Sequence, residues 1–380
     1  MFLKSKLPDV GTTIFTVMSK LAADHQAINL SQGYPDFSPP RQLLELVQQA
    51  LQEGHNQYPP MAGIEPLRQA IAAKVQSCYG AGIDPVDEVT VVSGATEGLF
   101  NAIFTVVAPG DEAIIFEPAY DSYEPVIRLA GGRARRITLR FPGYSIDWDE
   151  VRDAINERTR LIMINSPHNP TGTVLQQADI DALKDICAGR DLFLISDEVY
   201  EHIIFDGLAH LSMLRYPELR ERSFVISSFG KTYHATGWKV GYCIAPRPLS
   251  VEYRKIHQFN TFTTSTPMQY ALARFMDYPD HYLQLPAFYQ RKRDHLRGAM
   301  AGSRFRALQC NGTYFQLFDY SAVSREHDVD LVKRLTREHG VAAIPVSVFY
   351  GDRTDNKVMR LCFAKDEQTL SRAAEILCGI

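Results

Sequence analysis

Short apolar runs at Ala113–Phe116, Leu161–Ile164, Leu192–Ile195, Phe224–Ile226 and Val240–Ile244 carry almost no polar alternation. Most are separated by helix-length amphipathic segments. A strand with one wet face alternates apolar and polar residues. A run that is apolar on both faces must be covered on both, which calls for a largely parallel sheet between helical layers. A further strand, Glu88–Val92, passes through the turn Ser93-Gly94 into a helix from about Thr96 to Val107. The expected class is α/β, with this core over roughly residues 45–275.

Before the core, Leu43, Leu44, Val47 and Leu51 recur at helix spacing, and a second helix reads from about Glu65 to Tyr79, ending at Gly80. After it come helical stretches Val251–Met276 and His281–Met300, strand-like Thr313–Leu317, helix Val329–His339, strand Val358–Phe363 and helix Glu367–Leu377. This mixed pattern suits a smaller α+β domain. Pro39-Pro40 marks a break at its N-terminal edge, so both chain ends are expected to build it. The expected division is an N-terminal arm and part of the small domain over 1–44, a large domain over 45–275, and a small C-terminal domain over 276–380.

Forty basic and 44 acidic residues in 380 leave a net charge of −4, with no like-charged block of the kind that marks a nucleic-acid or membrane surface. No apolar stretch approaches the roughly 20 residues of a membrane-spanning helix. Met1–Asp9 has lysines but no apolar run or small-residue cleavage site, so no secretory signal is read there. None of the six cysteines lies within three residues of another, which gives neither a CxxC pair nor a zinc knuckle. They read as reduced core thiols of a cytoplasmic protein, and no metal site is expected.

Four segments carry chemistry, and they follow strands, where open α/β sheets bind ligands. Ser93-Gly94-Ala95-Thr96 runs from a strand end into a helix start, where small residues and the helix dipole favour an anion; a plain tight turn with a cap explains it as well. Asn165-Ser166-Pro167-His168-Asn169-Pro170-Thr171-Gly172 is a rigid turn that holds Asn169 in one direction. Asp197, in Ile195-Ser196-Asp197-Glu198-Val199-Tyr200, ends an apolar strand; it needs a cationic or proton-donating partner there, or serves only as a helix cap. Ser227-Ser228-Phe229-Gly230-Lys231 places a lysine just past a buried strand, where desolvation lowers its pKa and frees a neutral amine to attack a carbonyl. Lys239 is a second cation eight residues on.

The segment from Ser227 to Gly241 resembles the lysine signature of the class I/II aminotransferases, the pyridoxal-phosphate enzymes of fold type I. The similarity extends over essentially the whole chain. It includes Asn29-Leu30-Ser31-Gln32-Gly33-Tyr34-Pro35-Asp36-Phe37 near the start and Met359-Arg360-Leu361-Cys362-Phe363-Ala364-Lys365 near the end. Within that family the chain is most similar to methionine and kynurenine aminotransferases. The resemblance implies a large domain with a mostly parallel seven-stranded sheet, and pyridoxal 5'-phosphate as cofactor.

Residue by residue, the resemblance implies that Lys231 is the Schiff-base lysine and that Asp197 stabilises the protonated ring nitrogen. Asn169 and Tyr200 would hydrogen-bond the ring's phenolate oxygen. Ala95, Thr96, Ser228 and Lys239 would hold the phosphate, and Tyr120 would stack on the ring. Tyr58 would reach the phosphate from a neighbouring subunit, which implies a homodimer with composite sites. Arg360 would grip the substrate carboxylate through two parallel bonds, with Gly33 at the same end and Phe15 and Phe262 around the side chain. Lys231, Asp197 and Tyr200 are the expected catalytic group.

Lys239 stands where many class I members have arginine, as in the kynurenine-type subgroup. His234 and His168 are expected to be locally satisfied rather than cofactor-edge residues. The implied reaction is ping-pong transfer of an amino group from methionine or an aromatic amino acid to a 2-oxo acid. A carbon–sulfur β-lyase on the same fold uses the same Lys231. A non-enzymatic regulatory module is disfavoured because every chemical position is filled.

Overall fold

The computed structural model describes residues 3–380. A seven-stranded sheet forms the centre, in the spatial order Val89–Val92, Gly241–Ile244, Ser223–Ser228, Phe193–Asp197, Thr159–Asn165, Glu112–Glu117, Arg133–Thr138. All neighbours are parallel except around Gly241–Ile244, which is antiparallel to both of its partners. The unalternated apolar runs are explained directly. Ile195 and Ile226 pack into one layer with the helix Ala95–Val106, while Leu194 and Val225 pack into the opposite layer.

Three features depart from the sequence reading. The strand Arg133–Thr138 escaped it because its sequence, RARRIT, is charged rather than apolar. It lies at the sheet edge, where charge is tolerated and guards against stray pairing. Arg135 and Arg136 there pair with Glu112 and Glu117 of the neighbouring strand, at 3.5 and 3.0 Å. The long stretch Val251–Met276 is two helices, Arg247–Asn260 and Thr266–Phe275, broken where Phe262 turns to φ +70°. His281–Met300 is likewise divided, into Asp280–Leu283 and Leu285–Ala299.

A smaller antiparallel sheet has the order Ile344–Pro345, Val358–Cys362, Phe315–Asp319, Arg306–Ala307. Ile28–Asn29 pairs in parallel with Val341–Ala342, which ties the N-terminal segment to the C-terminal part of the chain. Among the described residues no helix is long and apolar enough to cross a membrane. All six cysteines are unpaired, and Cys187, Cys243, Cys310 and Cys362 are buried.

Candidate active site

The carboxyl ends of the parallel strands meet at one edge of the large sheet, and the reversed strand adds a residue to that edge. Because Gly241–Ile244 runs the other way, the residues that precede it, including Lys239, sit beside the ends of its neighbours. Gly241 lies opposite both Val92 and Ser228. A side chain at Gly241 would press to 2.5 Å from the Ser227 carbonyl and 3.2 Å from the Ala95 amide. Gly94, at φ +81°, turns the chain into the helix Ala95–Val106, and a Cβ there would meet the Lys239 Nζ at 3.2 Å. Bare backbone, a helix N-terminus and an ammonium group thus converge on one spot suited to an anion.

Lys231 sits on a single helical turn, Phe229–Thr232, immediately after the strand Ser223–Ser228. The chain then bends sharply, with His234 and Lys239 both in the left-handed region, at φ +58° and +54°. The Lys231 amine donates to the Tyr314 hydroxyl at 2.8 Å and to the Gly33 carbonyl at 3.2 Å. Burial pushes its pKa down to about 8, reinforced by the Arg360 charge and opposed by Asp197. A substantial neutral fraction near pH 8 makes it a competent nucleophile and base.

Asp197 is buried at its strand end, and burial pushes its carboxyl up to about 6. The Tyr123 hydroxyl donates to its Oδ2 at 2.6 Å and opposes that rise. A carboxylate held this way is ready for a cationic partner and costly without one. Asn165 ties the neighbouring turn to the same place, its Nδ2 donating to the Asp197 carbonyl at 2.9 Å and its Oδ1 accepting from the Asn169 amide at 2.9 Å.

Arg360 lies in the small sheet between Leu317 and Ile344 and is almost fully buried. It donates to Asn169 Oδ1 at 2.7 Å and to the Ser31 carbonyl at 3.2 Å, and its carbon centre lies 3.8 Å above the Phe315 ring. Its Nε is buried without a partner, and burial lowers its pKa to about 10. A buried guanidinium whose only hydrogen-bond partners are neutral is expensive even with the Asp121 charge nearby, and a carboxylate ligand would relieve that cost. Because arginine only donates, its bond to Oδ1 turns the Asn169 amide so that Nδ2 remains a free donor.

Lys231, Asp197, Asn165, Asn169 and Arg360 line one cavity of about 250 Å³, together with Phe15, Gly33, Ala95, Thr96, Tyr120, Tyr200, Ser228 and Lys239. Phe15 packs on Phe349 at 5.9 Å and sits 5.3 Å from the Arg360 carbon. Two sequence-assigned residues do not join it. Tyr58 is 85 % exposed and Phe262 42 % exposed, and they pack edge-to-face with each other at 5.6 Å outside the cavity of their own chain. His168 bonds Thr171 at 2.7 Å and lies off the cavity. His234 packs against Phe37, Phe288 and Tyr289, and its Nε2 has no partner, so the expected local satisfaction is incomplete.

Sequence reasoning missed Tyr314, Tyr123 and Asn165, all of which touch or hold site residues. Asn165 ends an apolar strand four residues before Asn169, which is a usable signal; Tyr123 and Tyr314 have none short of the fold. A larger cavity, about 410 Å³, is lined by Asn165 and Tyr123 but by no lysine or arginine.

The family model for aminotransferase class I and II matches residues 25–377. The methionine aminotransferase of Escherichia coli (strain K12) is 55 % identical over 98 % of this chain and 97 % of its own length. A solved structure of YbdL from Escherichia coli, for which a methionine aminotransferase function was identified, superposes with a TM-score of 0.98 at 54 % identity, covering 100 % of both chains. Human kynurenine–oxoglutarate transaminase 1 is 34 % identical, over 94 % of this chain and 93 % of its own.

Proposed function

This chain belongs to the class I and II aminotransferases, and from that premise we propose that it transfers the amino group of methionine or an aromatic amino acid to a 2-oxo acid by a ping-pong route. The observation that carries this reading is the buried Lys231 amine, with its pKa near 8, sharing one small cavity with buried Asp197 and unpaired Arg360. The cavity fits pyridoxal 5'-phosphate. Gly94 and Gly241 leave a cradle that a Cβ would fill, and Ala95, Thr96, Ser228 and Lys239 surround it as phosphate donors. When bound, pyridoxal phosphate supplies an aldehyde that captures amines and a ring that draws off an electron pair.

The chain's own residues supply the rest. Lys231 would hold the cofactor covalently and, once displaced, carry the substrate proton from Cα as base and return it as acid. Asp197 would pair with the protonated ring nitrogen. The free Nδ2 of Asn169 and the Tyr200 hydroxyl would donate to the ring oxygen, while Tyr120 would cover the ring face. Arg360 would bind the substrate carboxylate through Nε and a terminal nitrogen, with Gly33 alongside. Lys231, Lys239 and Arg360 are the cations that line the cavity, and Phe15 lies beside Arg360. No further cation lines the cavity to pair with a second substrate carboxylate, which supports an uncharged, extended or aromatic donor.

Tyr58 and Phe262, exposed in the single chain with Phe259 at 86 %, support a homodimer in which both complete the neighbouring site. We place the domain boundaries at 1–44, 45–275 and 276–380. The six free thiols support a reducing cytoplasmic setting. A donor screen with several 2-oxo acids tests the reading: methionine and the aromatic amino acids should lead. Preference for aspartate or glutamate would overturn the substrate class. Release of pyruvate and ammonia from a cysteine conjugate, without any 2-oxo acid, would instead support β-elimination.

A further inference from the structure

Tyr314 is fully buried, and its hydroxyl lies against the Gly33 carbonyl at 2.6 Å and the Lys231 amine at 2.8 Å, with the Tyr200 hydroxyl also close by. A carbonyl can only accept, so the short 2.6 Å contact takes the single phenolic proton in preference to the Tyr200 hydroxyl. The oxygen therefore faces Lys231 as an acceptor. Burial raises the phenol pKa well above 10, so that proton stays in place across the working pH range. The remaining bond from the amine, to Gly33 itself, is longer, at 3.2 Å.

The hydroxyl is held rigidly. Tyr200, Tyr289 and Phe315 surround the Tyr314 ring at 5.1, 5.7 and 4.9 Å. The preceding residue, Thr313, is buried at φ +64°, a conformation that a β-branched side chain adopts only where its surroundings over-determine it. Its amide donates to the Ile203 carbonyl at 2.9 Å, and the Gly312 amide donates to the Gly172 carbonyl at 2.9 Å. The loop that presents Tyr314 is thus anchored to the two large-domain segments that follow Tyr200 and Asn169.

We infer that Tyr314 is the positioning residue for the reacting amine. Whenever Lys231 is not covalently engaged, its amine is docked on the Tyr314 oxygen, which fixes the direction from which it takes and returns a proton. Without that oxygen the amine keeps only the longer bond to Gly33 and a flexible four-carbon stem. The inference rests on the reading of Lys231 as proton carrier and adds a residue to it. As an acceptor, Tyr314 also favours the ammonium form, working against the burial that lowers it.

Tyr314→Phe removes one oxygen and keeps the packed ring. The full chain, stripped of pyridoxal phosphate, is labelled by reductive methylation across pH, and Lys231 is followed by peptide mass mapping. The midpoint for Lys231 should fall by about one pH unit in the variant, as expected for loss of a hydrogen bond to a charged group. The reloaded enzyme should lose about ten- to hundredfold in kcat through misplacement of the amine, with little change in KM for the amino donor. An unchanged labelling midpoint overturns the inference, whatever happens to kcat. Failure of the unsubstituted chain to form a borohydride-stable adduct at Lys231 would instead remove the underlying reading.

Discussion

Arg360 donates through Nη1 to Asn169 Oδ1 at 2.7 Å, joining a strand of the four-stranded sheet to the turn after a strand of the seven-stranded one. The bond turns the Asn169 amide so that its donor end faces the cavity, and it steadies a guanidinium that has no carboxylate partner. The two residues therefore work as one unit.

That unit predicts non-additivity. Arg360→Ala should lower kcat/KM for methionine about a hundredfold, mainly through KM, as expected for loss of charge-assisted bonds to the substrate. Asn169→Ala should cost less. The double variant should fall short of the summed losses by about 1 kcal/mol or more, as contacting residues do. Steady-state kinetics on the four proteins reads this out, and strict additivity contradicts the coupling.

Asp197→Asn should stabilise the cofactor-free chain while abolishing turnover. The folded pKa of Asp197, about 6, lies above its ordinary value of 3.8. Between those values the folded state binds more protons than the unfolded one, so this group's contribution to stability falls as pH rises from about 4 to about 6. Above pH 6 the native carboxylate therefore carries the full penalty, on the order of 3 kcal/mol. Thermal melts should show the variant ahead at pH 7 and level with the parent near pH 3.

Gly94→Ala should weaken retention of pyridoxal phosphate. The residue sits at φ +81° and ψ 161°, a conformation essentially confined to glycine, where a Cβ costs about 1–3 kcal/mol, and it would crowd Lys239 at 3.2 Å. Spectroscopic titration of the stripped chain should show about tenfold weaker binding with the fold intact by circular dichroism.

If the sites are composite, Tyr58→Ala and Lys231→Ala complement each other. Each homodimer has two damaged sites, whereas a mixed dimer has one site with both groups intact. Unfolding and refolding the two together should give activity above the sum of the separate proteins. Activity equal to that sum contradicts a Tyr58 contribution in trans.

Much of this architecture was legible from sequence because burial leaves a pattern. Strands such as Thr159–Asn165 and Phe193–Asp197 are covered on both faces and read as unbroken apolar runs. Motif residues at their carboxyl ends, Asn169, Asp197 and Lys231, then fell at one edge. Arg133–Thr138 was hidden because an edge strand answers to solvent and to pairing with Glu112 and Glu117, not to a core. The break at Phe262 was hidden because backbone sign is not written in an aromatic side chain. Tyr314 was hidden because it meets Lys231 across 83 residues of chain, through packing that no local spacing records.

The central claim is that the Lys231 amine condenses with pyridoxal phosphate. Borohydride reduction of the loaded enzyme followed by peptide mapping tests it most directly. A single phosphopyridoxyl adduct on Lys231, lost together with turnover in Lys231→Ala, is the predicted result. An adduct confined to another lysine, or full turnover in Lys231→Ala, would contradict it.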